Sequence, residues 1–245
     1  MQWLTNIWIA LISLALTLSG VYLARFAGRR DWLSFLFVLL GLSIAGIAVA
    51  EIWMFRATSI EEYSEVLRWY HVPIFVSVCS VVGIIHLRFH SDRLWLGLLV
   101  CGLRFVSVII NFAAELNLNY ATLTVIDSMT IFGEVVTIVE GEPSHWMLTG
   151  QISLFLLLMY ILDAAFSTWR REHSPRAMIF CGVLAILVIS GTLHATLKFW
   201  EIVPTPMLIA PYFIGIALVM GVEAASIMLE GDHPDIAELR DIIGD

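Results

Sequence analysis

The sequence has too little charge to keep so apolar a chain in water. Only 14% of its 245 residues are charged, whereas 60% are hydrophobic, and the mean hydropathy is +0.89. Soluble domains carry about 45–50% apolar and roughly 25% charged residues, and a fold of this size cannot bury the excess apolar surface. The composition excludes soluble enzymes, nucleic-acid-binding proteins and disordered chains, and it predicts an integral membrane protein.

Catalytic and cofactor motifs are also missing. The three cysteines, Cys79, Cys101 and Cys181, lie inside apolar runs and form no CxxC pair, so they predict neither disulfides nor a zinc site. There is no GxSxG, HExxH, Walker or dinucleotide-binding motif. Residues 207–228 contain no lysine that could form a retinal Schiff base. We therefore expect neither enzyme activity nor a resident cofactor.

Seven apolar stretches are long enough to cross a bilayer, which takes about 20 residues of helix. They cover residues 5–26, 32–54, 66–89, 94–112, 147–169, 176–198 and 207–228. The predicted fold class is an all-α integral membrane protein, with a seven-transmembrane helix bundle over residues 1–228. Residues 229–245 are acidic and form either a cytoplasmic tail or the start of a signalling helix.

Basic residues mark one side of this bundle. Eight of the 13 lysine and arginine residues flank the loops after the first, third and fifth stretches, and three flank the loops on the other side. Loops rich in lysine and arginine stay in the cytoplasm. This rule places the N-terminus outside and the C-terminus in the cytoplasm.

One connection on the predicted outer side is much longer than the others. Residues 113–146 contain no basic residue and five acidic ones. Apolar residues alternate with threonines in 121–127, and a β-branched pattern surrounds Gly133 in 131–139. These patterns predict two short strands, a β-hairpin-like loop laid over the outer mouth of the bundle. Long loops of this kind often act as lids.

Ionisable residues at membrane depth are costly and need a partner or a function. Arg104 lies near the middle of the fourth stretch, and Ser107 and Asn111 share its helix face. Asp163 in the fifth stretch lies at a similar predicted depth, counted from the helix end, and Glu223 lies near the inner end of the seventh stretch. We expect Arg104 to pair with one of these two carboxylates, either as a structural ion pair or as a relay that passes a ligand-dependent change inward.

Two histidines fall at similar predicted depths near the outer side. His71 precedes Pro73, which loosens the third helix, and His194 shares a stripe with Ser190 and Lys198. Two facing imidazoles can hold a haem iron or another metal, although a hydrogen-bonded histidine or a ligand contact is the commoner use. A haem- or metal-binding membrane redox protein is therefore the alternative to a ligand-binding protein.

Several segments together resemble a known sensory module. They are RWYHVPIF at 68–75, LRFVSVIINF at 103–112, NLNY at 117–120, FGE at 132–134, WMLTGQISLFLLL at 146–158, DAAFSTWRR at 163–171 and MGVEAAS at 220–226. The chain resembles the seven-transmembrane sensory (input) domain of bacterial membrane sensor histidine kinases. The resemblance implies a multi-pass protein of the bacterial inner membrane, a cytoplasmic kinase or regulator as output partner, and a homodimer.

These observations predict a membrane sensor. We expect a small ligand, apolar or amphipathic and either extracytoplasmic or dissolved in the membrane, to bind in the outer half of the bundle beneath residues 113–146. The predicted ligand-binding residues are His71, Asn117, Asn119, Glu134, Trp146, Gln151 and His194, and the predicted inner relay is Arg104, Asp163 and Glu223. The expected partners are the lipid bilayer, the ligand and the output domain, with no nucleic acid.

Overall fold

The computed structural model describes residues 2–89, 93–173 and 175–231, and leaves out the side chains of residues 172, 175–177 and 223–231. The helices are α1 (Trp3–Arg29), α2 (Trp32–Arg56), α3 (Ile60–Phe89), α4 (Leu94–Ala113), α5 (Met147–Glu172), α6 (Pro175–Phe199) and α7 (Ala210–Gly231). Two strands, β1 (Tyr120–Ile131) and β2 (Glu134–Pro143), lie between α4 and α5. Most of the predicted acidic segment 229–245 lies outside the described residues.

Within the ranges just given, six helices, α1 to α6, are long and apolar enough to cross a membrane. The outward faces carry large apolar side chains, and Val21, Leu98 and Ile186 are each more than 60% exposed. Such a surface fits lipid rather than water. The prediction of a multi-pass membrane protein is confirmed for these six helices. The described apolar part of α7, Ala210–Val222, is shorter than the other six, so the seventh crossing stays a prediction.

Consecutive helices are antiparallel neighbours, and α7 packs against α2 and α1 as well as α6. Small residues permit the closest approach between α1 and α2. A Cβ placed on Gly41 would lie 2.7 Å from the backbone oxygen of Ala15 and 2.9 Å from the Cβ of Ser19. Glycine at this point therefore allows the two backbones to touch, as is common between membrane helices.

The long connection forms the predicted β-hairpin. β1 and β2 are antiparallel, with Ile131 opposite Glu134. Phe132 and Gly133 form the two-residue turn and have φ values of +50° and +77°, as a type I′ turn requires. The expected second strand, 131–139, included Gly133. The positive φ of Gly133 places it in the turn instead, and β2 begins at Glu134.

The hairpin lies across one end of the bundle, which we call the hairpin end. Its tip is held by α1, where Glu134 accepts hydrogen bonds from the backbone and the side chain of Thr5. The middle of β2 is held by α2, because Thr137 Oγ1 donates to the carbonyl oxygen of Ala57 at 2.8 Å. Farther along β2, the buried ammonium of Lys198 on α6 donates to a β2 carbonyl oxygen at 2.8 Å. The hairpin is thus attached to three helices.

Candidate functional site

A cavity of about 90 Å³ lies inside the bundle, near the hairpin end. Helices α3 to α7 form its walls, and Leu118 and Asn119 line it on the hairpin side. Most of the wall is aliphatic or aromatic, and the charged group on it is Arg104. An engineered cavity of about 150 Å³ admits benzene. In this conformation the cavity therefore suits a molecule smaller than benzene.

The segment that closes the cavity is held by asparagine side chains. Asn117 Oδ1 accepts hydrogen bonds from the backbone N–H groups of Asn119 and Tyr120, both at 2.9 Å. Asn111 Oδ1 accepts a further one from the backbone of Leu118 at 2.9 Å. On the facing helix, Arg68 donates to the carbonyl oxygen of residue 116 at 2.6 Å. These bonds fix the loop that places Asn119 over the cavity.

His71 and Asn119 meet on the cavity wall. The Asn119 amide nitrogen lies 2.9 Å from His71 Nε2. An amide nitrogen can only donate, so Nε2 accepts and the proton of a neutral imidazole sits on Nδ1. That Nδ1 is buried and has no hydrogen-bond partner among the described residues. The wall therefore carries a buried N–H donor without an acceptor.

Arg104 is a second unpaired donor on this wall. Its side chain is only 6% exposed, and its buried Nε has no hydrogen-bond partner in the described part of the chain. The guanidinium packs on α5, since a Cβ placed on Gly150 would lie 2.7 Å from Nη1. Gln151, the next residue, also lines the cavity. A buried cation without a partner is expensive at membrane depth.

One of the two expected partners of Arg104 is bonded elsewhere. Asp163 pairs with Arg93, at 3.4 Å, rather than with Arg104. Arg104 lies level with Gly150, and Asp163 comes 13 residues farther along α5, which is about 20 Å of helix. Counting from the helix ends suggested equal depths because it treated those ends as level. Glu223 belongs to α7, but its side chain lies outside the described residues.

The structure brings three of the seven predicted ligand-binding residues, His71, Asn119 and Gln151, to the cavity wall. Asn117 lies behind the wall and holds the loop. The exposed Trp146 precedes Met147, the first residue of α5 and a lining residue. Glu134 lies at the hairpin tip.

His194 lies behind the cavity wall. Its ring centroid is 6.0 Å from that of Tyr212, which lines the cavity, and its Nε2 lies 3.3 Å from the carbonyl oxygen of Pro206. The two histidines proposed for haem or a metal therefore have separate partners. Ligation of one metal through Nε2 by both histidines would break the contact between His194 and Pro206 and the bond between His71 and Asn119.

Sequence reasoning missed Glu51, a fully buried carboxylate on α2. Its Oε1 accepts hydrogen bonds from the hydroxyl of Tyr70 at 2.7 Å and from the backbone N–H groups of Ile209 and Ala210 at 2.6 and 3.0 Å. Its Oε2 accepts one from Trp8 Nε1 at 2.6 Å. Glu51 thus joins α1, α3 and the start of α7. A lone carboxylate in the run AVAEIWMF was the available signal.

A second concavity lies on the outside of the bundle, between α2 and α3. It is larger than the cavity but open, and its walls include the exposed Trp53 and Trp69. Its two carboxylates already accept hydrogen bonds, Glu62 from Trp53 and Glu65 from Trp69. The groove therefore carries no unsatisfied polar group, whereas the internal cavity carries two.

The chain was also compared with known proteins. No protein-family model matches it, and no curated protein matches it significantly.

Proposed function

We propose that this chain is a membrane sensor, which binds a small ligand in the internal cavity and passes the change through α7 to a cytoplasmic output such as a histidine kinase. The N-terminus and the hairpin end face outward, α7 makes the seventh crossing, and the membrane is a bacterial inner membrane. The basic loops at the opposite end support this orientation. The resemblance to sensor kinase input domains supports the output.

One observation carries the proposal. Tyr70 lines the cavity, and its hydroxyl bonds to the same Glu51 oxygen that holds the first N–H groups of α7. A ligand that displaces Tyr70 therefore changes the hydrogen bonding of the α7 N-terminus through one intervening side chain. A signal requires that the ligand bind two arrangements of the bundle with different affinity, and Glu51 is a junction at which two arrangements can differ.

The hairpin supports the proposal as a lid. Three helices hold it across the bundle end, and the segment leading into it supplies Leu118 and Asn119 to the cavity wall. A ligand that bonds Asn119 would therefore also change how the hairpin is held.

The coupling between cavity and α7 is tested without knowing the ligand. Tyr70→Phe removes only the hydroxyl that bonds Glu51. Tyr120→Phe is the matched control, because the Tyr120 hydroxyl is buried and has no hydrogen-bond partner in the described structure. We expect Tyr70→Phe to increase amide hydrogen exchange at residues 209–213 of the full chain in lipid nanodiscs. Equal exchange in the two variants would overturn the proposed route to α7.

Movement of α7 is measured with two spin labels at the end opposite the hairpin. Val222 on α7 and Ile179 on α6 are 70% and 68% exposed, so we expect both positions to accept a labelled cysteine. We expect Tyr70→Phe to change the distance distribution between these labels, and Tyr120→Phe to leave it as in the parent. A distribution that is the same in all three proteins contradicts transmission through α7.

A further inference from the structure

We infer that the cavity binds a small monoanion, a short-chain carboxylate, with its two oxygens on the Arg104 guanidinium. This inference rests on one part of the proposed function, namely that the ligand binds in the internal cavity. It names the chemical class of the ligand, which neither the sequence pattern nor the fold assigns.

The first argument is charge. Arg104 is a buried cation on the cavity wall, and no carboxylate with a described side chain forms an ion pair with it. Two other buried charged side chains already have partners: Glu51 accepts four hydrogen bonds on the far side of Tyr70, and Lys198 donates to a β2 carbonyl oxygen. An uncompensated charge in a low-dielectric interior is strongly unfavourable. A neutral ligand would leave that cost in place, whereas an anion removes it.

The second argument is the set of donors. The guanidinium is a planar fork that matches the two oxygens of a carboxylate, and Arg104 Nε–H has no acceptor within the described part of the chain. His71 offers a further unpaired N–H on the same wall. Unsatisfied buried donors are rare in folded proteins. Two of them at one cavity indicate an occupant that accepts hydrogen bonds.

The third argument is the size and polarity of the remaining wall. Beyond the polar groups, the cavity is lined by aliphatic and aromatic side chains, among them Ile74, Leu154, Val188 and Phe213. An inorganic anion would satisfy Arg104 but would leave this apolar part of the wall without an apolar contact. A volume of about 90 Å³, below the ~150 Å³ that accommodates benzene, limits the apolar tail to a few carbons. The tail would contact α6 and α7, and α7 is the helix that carries the signal in the proposed function.

The test compares three molecules of nearly equal size: propionate, propionamide and 1-propanol. Binding to the full chain in nanodiscs is measured at pH 7 by calorimetry, and the labels at Val222 and Ile179 report movement of α7 in the same samples. A hydrogen-bonded charge pair is worth enough for about a tenfold preference or more. We expect propionate to bind at least about tenfold more tightly than propionamide, and propanol to bind no better than the amide.

Two substitutions locate the site. Arg104→Gln removes the charge and should abolish the preference for propionate. Gly150→Ala keeps the charge but places a methyl group 2.7 Å from Arg104 Nη1, so that the guanidinium must shift. Gly102→Ala is its matched control, because a Cβ there meets nothing within 4 Å. We expect Gly150→Ala to weaken propionate binding severalfold, and Gly102→Ala to bind as the parent does.

Failure of this inference is distinct from failure of the proposed function. Equal binding of propionate and propionamide, absent propionate binding, or a preference that survives Arg104→Gln overturns the anion site. The wild-type comparison of acid and amide decides the matter even if Arg104→Gln does not fold. Propionate that binds through Arg104 but leaves the label distances unchanged supports the anion site and overturns the sensor. If a neutral molecule produces the α7 movement that is expected for propionate, the result supports the sensor and overturns the anion site.

Discussion

Replacing Glu51 with alanine should destabilise the protein more than any exposed carboxylate substitution. The carboxylate is fully buried and accepts four hydrogen bonds, from Trp8, Tyr70 and two backbone N–H groups at the start of α7. Glu51→Ala leaves all four donors buried without an acceptor and removes the hydrogen bonds that join this point of α2 to α1, α3 and the start of α7. The loss therefore combines unsatisfied donors with weaker attachment of α7.

The magnitude follows from the number of donors. Side-chain hydrogen bonds between membrane helices are worth about 0.6 kcal/mol on average and about 1.7 kcal/mol at most. Four bonds of this kind give a loss of about 2–7 kcal/mol in the free energy of unfolding. Glu51→Gln keeps one acceptor oxygen but turns an amide N–H₂ toward one donor, so its loss should be about 1–3 kcal/mol.

The assay follows thermal unfolding in mild detergent with a thiol-reactive fluorophore. Buried Cys181 and the half-buried Cys79 and Cys101 become reactive when the bundle opens. Glu65→Ala is the matched control, because Glu65 also accepts a hydrogen bond from a tryptophan, Trp69, but is exposed to solvent.

At one scan rate, we expect Glu51→Ala to unfold at a temperature well below that of the control, with Glu51→Gln between them. If Glu51→Ala and Glu65→Ala unfold at the same temperature, the buried four-donor arrangement contributes nothing and the reasoning is refuted.

Two further predictions concern the ends of the bundle. In double-mutant cycles on stability, Asp163 should couple to Arg93 by up to about 1 kcal/mol and to Arg104 by nothing measurable; coupling to Arg104 alone would contradict the observed pairing. At the hairpin tip, partial burial raises the pKa of the Glu134 carboxyl, but the hydrogen bonds from Thr5 outweigh it, so the pKa lies below its ordinary value of 4.5. The stabilisation is therefore complete above that value and lost as the pH falls through the lower folded-state pKa. Proteolysis of the hairpin should rise in this acidic range in the parent but not in Glu134→Gln, and an equal rise in both would contradict it.

Part of the candidate site was predictable because local patterns carry it. The NLNY segment combined two asparagines with the end of a helix, and asparagine side chains commonly bond nearby backbone groups. Asn117 holds the loop in this way, and Asn119 reaches the cavity. The hairpin was predictable from alternation and from Gly133, although only the structure shows that Gly133 lies in the turn.

Pairing between distant helices was not predictable. Arg104 was singled out correctly as a buried charge, but Asp163, one of its two expected partners, lies about 20 Å along α5 from the level of Arg104. Two apolar membrane helices can pack at axial offsets that differ by whole turns, and their composition is the same at each offset. The depth of a residue therefore cannot be read from its distance to the end of its own helix.

The sequence by itself determined that the protein lies in a lipid bilayer and contains long helices and a hairpin. Each of these follows from composition and from periodicity over a few residues. Only the tertiary structure decided which polar groups meet. It joined Glu51 to the first turn of α7, more than 150 residues away, and placed Arg104 on a cavity wall where its Nε has no hydrogen-bond partner among the described residues. The reason is physical: apolar burial is non-directional and shows in local pattern, whereas a buried hydrogen bond depends on the relative position and rotation of whole helices.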